Sequence, residues 1–308
     1  KERQAFGRPI ADFGMMKEKL GAMTAHTYAA ESISYRTTGM IENLLEGVDQ
    51  GAPTAAKQIL EALQQYAVEC SILKVMGTET LDFVTDETVQ IYGGYGFSSD
   101  YPVERAYRDQ RVNRIFEGTN EINRLLITDM LMKRSMKGEL ALIPAAQKLA
   151  DEILSAPPAD GFEEEGPLAG EARLLEGAKK ALLLVAGSAV QRYMQALADE
   201  QEVIGVLSNL VIEVYAMESA LLRTLKISRS SADACATERD AVSCYVYDAL
   251  DRMEVEARRA LARIAEGDML RTQIAVLRRF LRRTPPDTIE LKRRVGNRAL
   301  ELNRYPFA

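Results

Sequence analysis

The chain has 308 residues, 47% of them hydrophobic and 27% charged, and a net charge of −6. This balance is typical of a globular protein with an ample core, and the length predicts two domains. The acidic balance argues against general affinity for nucleic acid. No run of eighteen apolar residues occurs, so we expect no helix that spans a membrane.

Cysteine and histidine are sparse. Cys70, Cys235 and Cys244 are widely spaced and form no CxxC motif, which predicts a reducing compartment and no disulfide framework. His26 is the single histidine, so neither a His-based metal site nor a Ser-His triad is expected. We expect His26 to pack or be solvated on its helix.

The first half of the chain has the apolar periodicity of long helices. It predicts a first helix from about 12 to 46 and helical structure over 55–92, with a break near Gly77-Thr78. Two further helices are predicted at 102–113 and 119–136. Their number, their lengths and the short connections suit a four-helix bundle.

The second half is also predicted to be helical, after a boundary rich in Pro, Gly and acidic residues between 155 and 170. A junction helix at 138–154 precedes this linker, and helices follow at 171–199, 202–228, 234–266, 269–283 and 287–302. We therefore predict an all-α chain with domains at 1–137 and 171–308, joined by residues 138–170, in which the second domain is another helical bundle.

The segment 269–304 is strongly basic, with ten basic residues against three acidic ones. A basic amphipathic helix can bind an anionic membrane surface, so peripheral membrane contact is one interpretation. The favoured alternative is a helix packed in the core with a solvated basic face, or one that faces the acidic linker.

The stretch 90–124 has the densest turn and charge pattern of the first half. Gly93, Gly94 and Gly96 lie within four positions, where they stop a helix and let backbone approach a ligand or another chain. Pro102 is suited to the first position of a new helix. Charges of both signs then follow along a helical period over 104–114.

Glu117 is the best catalytic candidate. It lies between Phe116 and Gly118, just before an apolar helix for which Thr119 or Asn120 is a good N-cap. The preceding apolar side chains would desolvate the carboxylate, as a general base requires, and Gly118 would leave room for a substrate. From spacing alone the favoured alternative is a glutamate stabilised only by the helix dipole.

The motifs of this stretch form a specific series. Gln-x-x-Gly-Gly-x-Gly-Phe, Tyr-Pro-x-Glu-Arg, Arg-Asp and Ile-Phe-Glu-Gly-Thr-Asn-Glu-Ile-x-Arg occur in order between 90 and 124. The series resembles the signature of the acyl-CoA dehydrogenases in their C-terminal α-helical domain. Residues 3–7 and 13–20 are similar to the family's Arg-x-x-Phe-Gly segment and its next helix. The long C-terminal extension resembles the very-long-chain branch.

The resemblance implies an FAD-dependent enzyme of β-oxidation that oxidises a long, straight-chain fatty acyl-CoA to a trans-2-enoyl-CoA. Glu117 matches the base that removes the α-proton while the flavin accepts hydride from the β-carbon. Phe116 and Gly118 match residues that touch the thioester region. Eight positions match FAD contacts, either to a neighbouring subunit or within one: Arg3, Phe6, Gln90, Gly93, Gly94, Thr119, Asn120 and Glu121.

The resemblance also implies a homodimer, electron-transferring flavoprotein as acceptor, and a bacterial cytoplasm or mitochondrial matrix. If the basic segment 269–304 binds lipid, the protein would also make peripheral contact with the inner membrane. In the family an N-terminal helical domain and a middle β-domain precede this part, so we expect a C-terminal fragment that is inactive alone. Two alternatives stay open: a non-catalytic helical dimerisation or docking module, and an acyl-CoA oxidase that passes electrons to oxygen.

Overall fold

The computed structural model describes residues 1–155, Gly166, 168–230 and 235–307. These residues are almost wholly helical, which confirms the predicted all-α class. A short antiparallel hairpin at the N-terminus, β1 (Gln4–Ala5) and β2 (Arg8–Pro9), was not predicted. Its turn is made by Phe6 and Gly7, both at positive φ (52° and 82°), as in tight hairpin turns.

The α-helices of the described residues follow in chain order. They are α1 (Gly14–Leu45), α2 (Ala55–Gln65), α3 (Ala67–Tyr92), α4 (Gly94–Phe97), α5 (Pro102–Arg111), α6 (Asn120–Met136), α7 (Leu142–Ser155), α8 (Ala169–Tyr193), α9 (Gln201–Ser230), α10 (Ala236–Ile264), α11 (Gly267–Phe280) and α12 (Thr288–Leu302).

Most predicted helices lie within a few residues of the observed ones, but two predictions were wrong. The break in 55–92 falls at Tyr66 and not at Gly77, which lies inside α3. Tyr66 leaves the helical region at φ −105° and ψ 22°, and its carbonyl accepts the Cys70 N–H at 2.9 Å. The predicted 171–199 helix ends at Tyr193 and continues as a 3-10 helix.

The chain divides into two compact units, residues 30–131 and residues 1–29 with 132–308. This division differs from the predicted boundaries, because it places the first 29 residues with the C-terminal half. The boundaries at 137 and 170 stay a prediction. The acidic, Pro-rich stretch 156–165, Pro167 and the predicted helix start at Ala234 lie outside the described residues.

In the unit of residues 30–131, α3 is the central helix and packs against α2, α4 and α5. Gly93 ends α3 at φ 61°. Gly96 is buried, and a Cβ there would lie 2.7 Å from the Val89 carbonyl oxygen. Only glycine therefore permits the short α4 to lie this close to the end of α3.

In the other unit, α10 is the central helix and packs against α8, α9, α11 and α12. Its inner face is fully buried, and it includes Val242, Tyr245, Ala249 and Met253. In the sequence these four lie at steps of three and four, which is the spacing of one face of a helix.

Two glycines bring the backbones of α1 and α12 into direct contact within this unit. A Cβ on Gly21 would lie 2.0 Å from the Lys292 carbonyl oxygen, and one on Gly296 would lie 2.2 Å from that of Lys17. Both distances are far shorter than any normal contact. The helices can lie this close only because both positions lack a side chain.

The basic segment 269–304 forms many ion pairs with neighbouring carboxylates. Lys292 pairs with Asp248 at 2.9 Å, and Arg294 pairs with Asp240 at 2.7 Å. Arg283, Arg271 and Arg298 form further pairs. This pattern agrees with the favoured interpretation, a packed helix with a solvated basic face. Peripheral membrane contact stays a prediction.

By length and composition alone, the stretch Gln201–Arg229 of α9 could cross a membrane. In the structure, however, 61% of the most hydrophobic 18-residue window of that stretch is buried against protein, as expected for the core helix of a bundle. The apolar character of α9 is therefore explained by its packing between α8 and α10.

Gly21→Ala is expected to lower the free energy of unfolding by about 2 to 3 kcal/mol, because the added methyl overlaps the Lys292 carbonyl. Gly39→Ala, in the same helix, is the matched control, since a Cβ there meets nothing within 4 Å. Helix propensity predicts that it raises stability by up to about 1 kcal/mol. Urea unfolding of both variants checks this, and equal shifts would contradict the close contact.

His26 lies on α1 with its ring edge-to-face against Tyr245, at 5.4 Å between centroids. Burial, followed by the charge of Arg252, lowers the pKa of His26 to about 4. Asp248 acts in the opposite direction and Lys292 in the same direction. His26 is therefore a packed, neutral residue near pH 7, one of the two roles expected from the sequence.

The pKa of His26 is lower in the folded chain than in the unfolded chain, so the folded chain favours the neutral imidazole. The stability that follows from this difference is present in full only above pH 6.5, the usual pKa of histidine. As pH falls from 6.5 towards 4, protons bind the unfolded chain first. The free energy of unfolding should then fall by about 2 kcal/mol relative to His26→Gln. Unfolding curves at pH 7 and 4.5 test this, and a constant difference between the two proteins would contradict it.

Candidate functional site

The candidate site is the loop between α5 and α6. A 3-10 turn (Val112–Arg114) leads into it, and α6 begins at Asn120. Glu117 and Gly118 are consecutive residues in the left-handed region, at φ 53° and φ 78°. This conformation costs a non-glycine residue about 1 to 2 kcal/mol, so neighbouring contacts must hold Glu117 there.

Lys74 on α3 holds the end of the loop. Its half-buried ammonium donates to the Gly118 carbonyl at 2.8 Å and to Asn120 Oδ1 at 2.7 Å. Charge-assisted hydrogen bonds of this kind contribute about 1.5 to 3 kcal/mol each, which is enough to offset the cost of the left-handed backbone. Desolvation lowers the pKa of Lys74, against the opposing charges of Glu121 and Glu117.

Asn120 is the buried centre of the same network. Its amide donates to Thr78 Oγ1 at 3.0 Å and to Glu79 Oε1 at 3.3 Å. Glu79 in turn accepts from Arg124 at 2.8 Å. The first turn of α6 is thus bound to α3 through side chains of both helices.

Asp82, further along α3, holds the start of the loop. Its carboxylate accepts from Gln110 Nε2 at 2.8 Å and from Arg114 at 3.0 Å. Lys74, Thr78 and Asp82 follow one another at steps of four, so they share one face of α3. This polar face was not predicted from the sequence, although polar residues at regular helical spacing on a half-buried helix were its signal.

The carboxylate of Glu117 is exposed in this chain. Ile115 is 54% exposed and Phe116 49% exposed, so the prediction that these two residues desolvate Glu117 was wrong for this chain taken alone. The physical reason is that the loop turns their side chains away from the core of their unit. Gly118 is close-packed, since a Cβ there would lie 3.1 Å from the Asn123 amide nitrogen.

Thr119 is the observed N-cap of α6, one of the two residues expected in that role. Its Oγ1 accepts the Ile122 N–H at 3.3 Å. Glu121 lies in the first turn, where its own backbone N–H and then the Thr119 hydroxyl lower the pKa of its carboxyl group. The helix start therefore carries an ionised carboxylate, which the helix dipole also favours.

The predicted cofactor residues at the end of α3 lie in the same unit as Glu117. Gln90 and Gly94 are exposed, and Gly93 forms the cap between α3 and α4. A Cβ on Gly94 would meet nothing within 4 Å. The backbone here is open to an external group, which fits a bound cofactor. The predicted contacts themselves stay predictions.

Arg3 and Phe6 lie on the N-terminal hairpin, in the other unit. Both are exposed, and Phe6 at 95% is the most exposed large apolar residue of the described chain. The ring of Phe6 contacts that of Phe13 edge-to-face at 6.1 Å. The Arg3 carbonyl accepts the Ile10 N–H at 2.9 Å, which fixes the hairpin base and leaves both side chains outward.

Comparison with known proteins places these features in a family. Residues 1–132 and residues 177–279 each match a family model described as the C-terminal domain of acyl-CoA dehydrogenase. A probable acyl-CoA dehydrogenase of Bacillus subtilis is 42% identical over 305 residues, which is 99% of this chain and 51% of the relative. The human mitochondrial very long-chain specific acyl-CoA dehydrogenase is 39% identical over 125 residues, 41% of this chain and 16% of that protein.

A solved structure agrees over nearly the whole chain. The crystal structure of an acyl-CoA dehydrogenase from Bacillus anthracis, complexed with FAD, has a TM-score of 0.94 and 42% identity. It covers 99% of this chain, while the chain spans 51% of that protein. The chain thus spans about half the length of these bacterial relatives. It belongs to the acyl-CoA dehydrogenase family, and the family features that it carries are those of the C-terminal domain.

Proposed function

We propose that the complete protein is an FAD-dependent acyl-CoA dehydrogenase that converts long, straight-chain fatty acyl-CoA to trans-2-enoyl-CoA in β-oxidation. The observation that carries this proposal is the Glu117 loop, which α3 holds at both ends while the carboxylate stays exposed. A fixed backbone with an outward carboxylate suits a base that acts on a substrate held by other parts of the protein.

The proposed step breaks two C–H bonds. Glu117 takes the α-proton as its carboxylate becomes a carboxylic acid, and the α,β double bond forms as hydride leaves the β-carbon. Bound FAD supplies the acceptor for that hydride. Phe116 and Gly118, on either side of Glu117, would contact the thioester. Removal of a weakly acidic C–H proton requires a fixed base, and because Glu117 is exposed in this chain, its desolvation would come from the bound substrate and the rest of the complete protein.

The residues proposed to hold FAD are suited to it by exposure and chemistry. Arg3 can pair with a phosphate, and the open backbone at Gly93 and Gly94 can approach an anion. Thr119 and Glu121 lie at a helix N-terminus, where backbone amides cluster. The side chain of Asn120 is hydrogen-bonded to Lys74 and Thr78, so only its backbone would contact FAD.

Electron-transferring flavoprotein is the proposed acceptor, in a bacterial cytoplasm or a mitochondrial matrix. The alternative of an oxidase predicts fast reoxidation by oxygen. A comparison of turnover with ferricenium and with oxygen as the acceptor separates the two. The docking-module alternative predicts no turnover with either acceptor.

Glu117→Gln in the complete protein should lower the rate of flavin reduction by acyl-CoA about 10²- to 10⁴-fold, because the amide cannot accept the proton. Acyl-CoA should still bind, as followed by the change it causes in flavin absorbance. Glu61→Gln, on the exposed face of α2, is the control and should keep the full rate. A normal rate in Glu117→Gln would show that another group is the base.

The complete protein is proposed to form a homodimer, because the predicted contacts of Arg3, Phe6, Gln90, Gly93 and Gly94 reach the FAD of a neighbouring subunit. We expect light scattering to give twice the mass of one polypeptide. A monomer that retains FAD and full activity would contradict the proposed contacts across subunits.

A further inference from the structure

The ammonium of Lys74 joins α3 to the Gly118–Thr119 peptide, which is the second peptide after Glu117. Its Nζ lies 2.8 Å from the Gly118 carbonyl oxygen and 2.7 Å from Asn120 Oδ1. The first contact fixes the residue next to the carboxylate, and the second fixes the start of α6. Lys74 therefore acts on the loop from both sides of Thr119.

This contact has a specific task, because the loop backbone is unfavourable without it. Glu117 and Gly118 are both in the left-handed region, which glycine tolerates and glutamate does not. The Gly118 carbonyl also accepts from Asn123 Nδ2 at 2.9 Å, so without the ammonium it would keep a neutral donor and lose its charged one. The Gly118–Thr119 peptide would then be held less firmly, and the left-handed conformation of Glu117 and Gly118, which directs the Glu117 side chain, would be less stable.

The charges around Lys74 belong to the same site. Glu121, Glu117 and Glu79 all favour its cationic form, while burial and Arg124 oppose it. The lysine thus lies within electrostatic range of the Glu117 carboxylate, yet it donates hydrogen bonds to the Gly118 carbonyl and to Asn120 Oδ1. Lys74 therefore acts on the Glu117 carboxylate by fixing the loop backbone and through the electrostatic field of its charge.

We propose that Lys74 is a positioning residue for proton abstraction by Glu117. It sets the direction of the carboxylate by holding the Gly118 peptide, and it does not itself touch the substrate. The inference rests on the proposed function, in which Glu117 is the base.

Lys74→Met in the complete, FAD-loaded protein tests the inference, since methionine keeps most of the apolar stem and removes the ammonium. The probe is an acyl-CoA in which sulfur replaces the β-methylene, which has an acidic α-proton and no hydride to donate. Exchange of its α-protons for solvent deuterium, followed by NMR, should slow about 10- to 100-fold. The dissociation constant of the probe should stay within about threefold, because ground-state binding is unaffected.

Two further measurements separate positioning from general stability. Amide hydrogen exchange over 115–121 should become faster in Lys74→Met, while the rest of α3 stays protected. Lys57→Met, which removes an exposed lysine on α2, is the matched control and should change neither measurement. Lys74→Arg keeps a cationic donor and should recover most of the proton-exchange rate.

A second variant keeps the inference testable if Lys74→Met does not fold. Asp82→Asn weakens the hold on Arg114 at the other end of the loop and should slow proton exchange in the same direction. An unchanged rate in the folded Lys74→Met protein overturns the inference. A slower proton exchange that is fully explained by weaker probe binding or by less folded protein also overturns it. If Lys74→Met does not fold, an unchanged proton-exchange rate in Asp82→Asn overturns it.

Failure of this inference and failure of the proposed function give different results. If Glu117→Gln abolishes proton exchange and Lys74→Met leaves it unchanged, Glu117 is the base and Lys74 does not position it. If Glu117→Gln exchanges protons at the normal rate, the proposed function fails, whatever Lys74→Met does.

Discussion

The hydrogen bond from Lys74 to the Gly118 carbonyl is the interaction on which the candidate site depends. A half-buried ammonium requires acceptors, and the loop, with Glu117 and Gly118 in the left-handed conformation, supplies one of them, the Gly118 carbonyl. The Lys74 ammonium and the left-handed loop conformation therefore stabilise each other. As a result, the backbone beside Glu117 is fixed while its side chain stays exposed, which is the arrangement expected of a base that meets its substrate from outside this chain.

A different constraint organises residues 1–29 and 132–308. There the backbones of α1 and α12 touch at Gly21 and Gly296, and α10 forms the buried centre. The contact explains why the first half of α1 groups with the C-terminal helices. The hairpin with Arg3 and Phe6 precedes α1 directly, so the proposed cofactor residues at the N-terminus are attached to the unit that contains the C-terminal helices.

Local signals in the sequence were sufficient for the helices and for the start of α6. Pro102 begins α5, and Thr119 caps α6, as their chemistry predicts. The break at Tyr66 was missed because no glycine or proline marks it, while Gly77 is tolerated inside α3. The role of Lys74 could not be predicted, because its acceptors lie 44 and 46 residues away in sequence. Only the folded chain brings such partners together.

The expected desolvation of Glu117 was the least predictable feature, because it depends on what lies against the loop and not on the adjacent residues.

The central claim is that this exposed carboxylate meets the α-carbon of a bound thioester. A crystal structure of the complete protein with FAD and the sulfur-containing acyl-CoA analogue tests it most directly. We expect a Glu117 oxygen about 3 to 3.5 Å from the α-carbon, with the Lys74–Gly118 contact intact. A Glu117 side chain directed into solvent, with another carboxylate at the α-carbon, would contradict it.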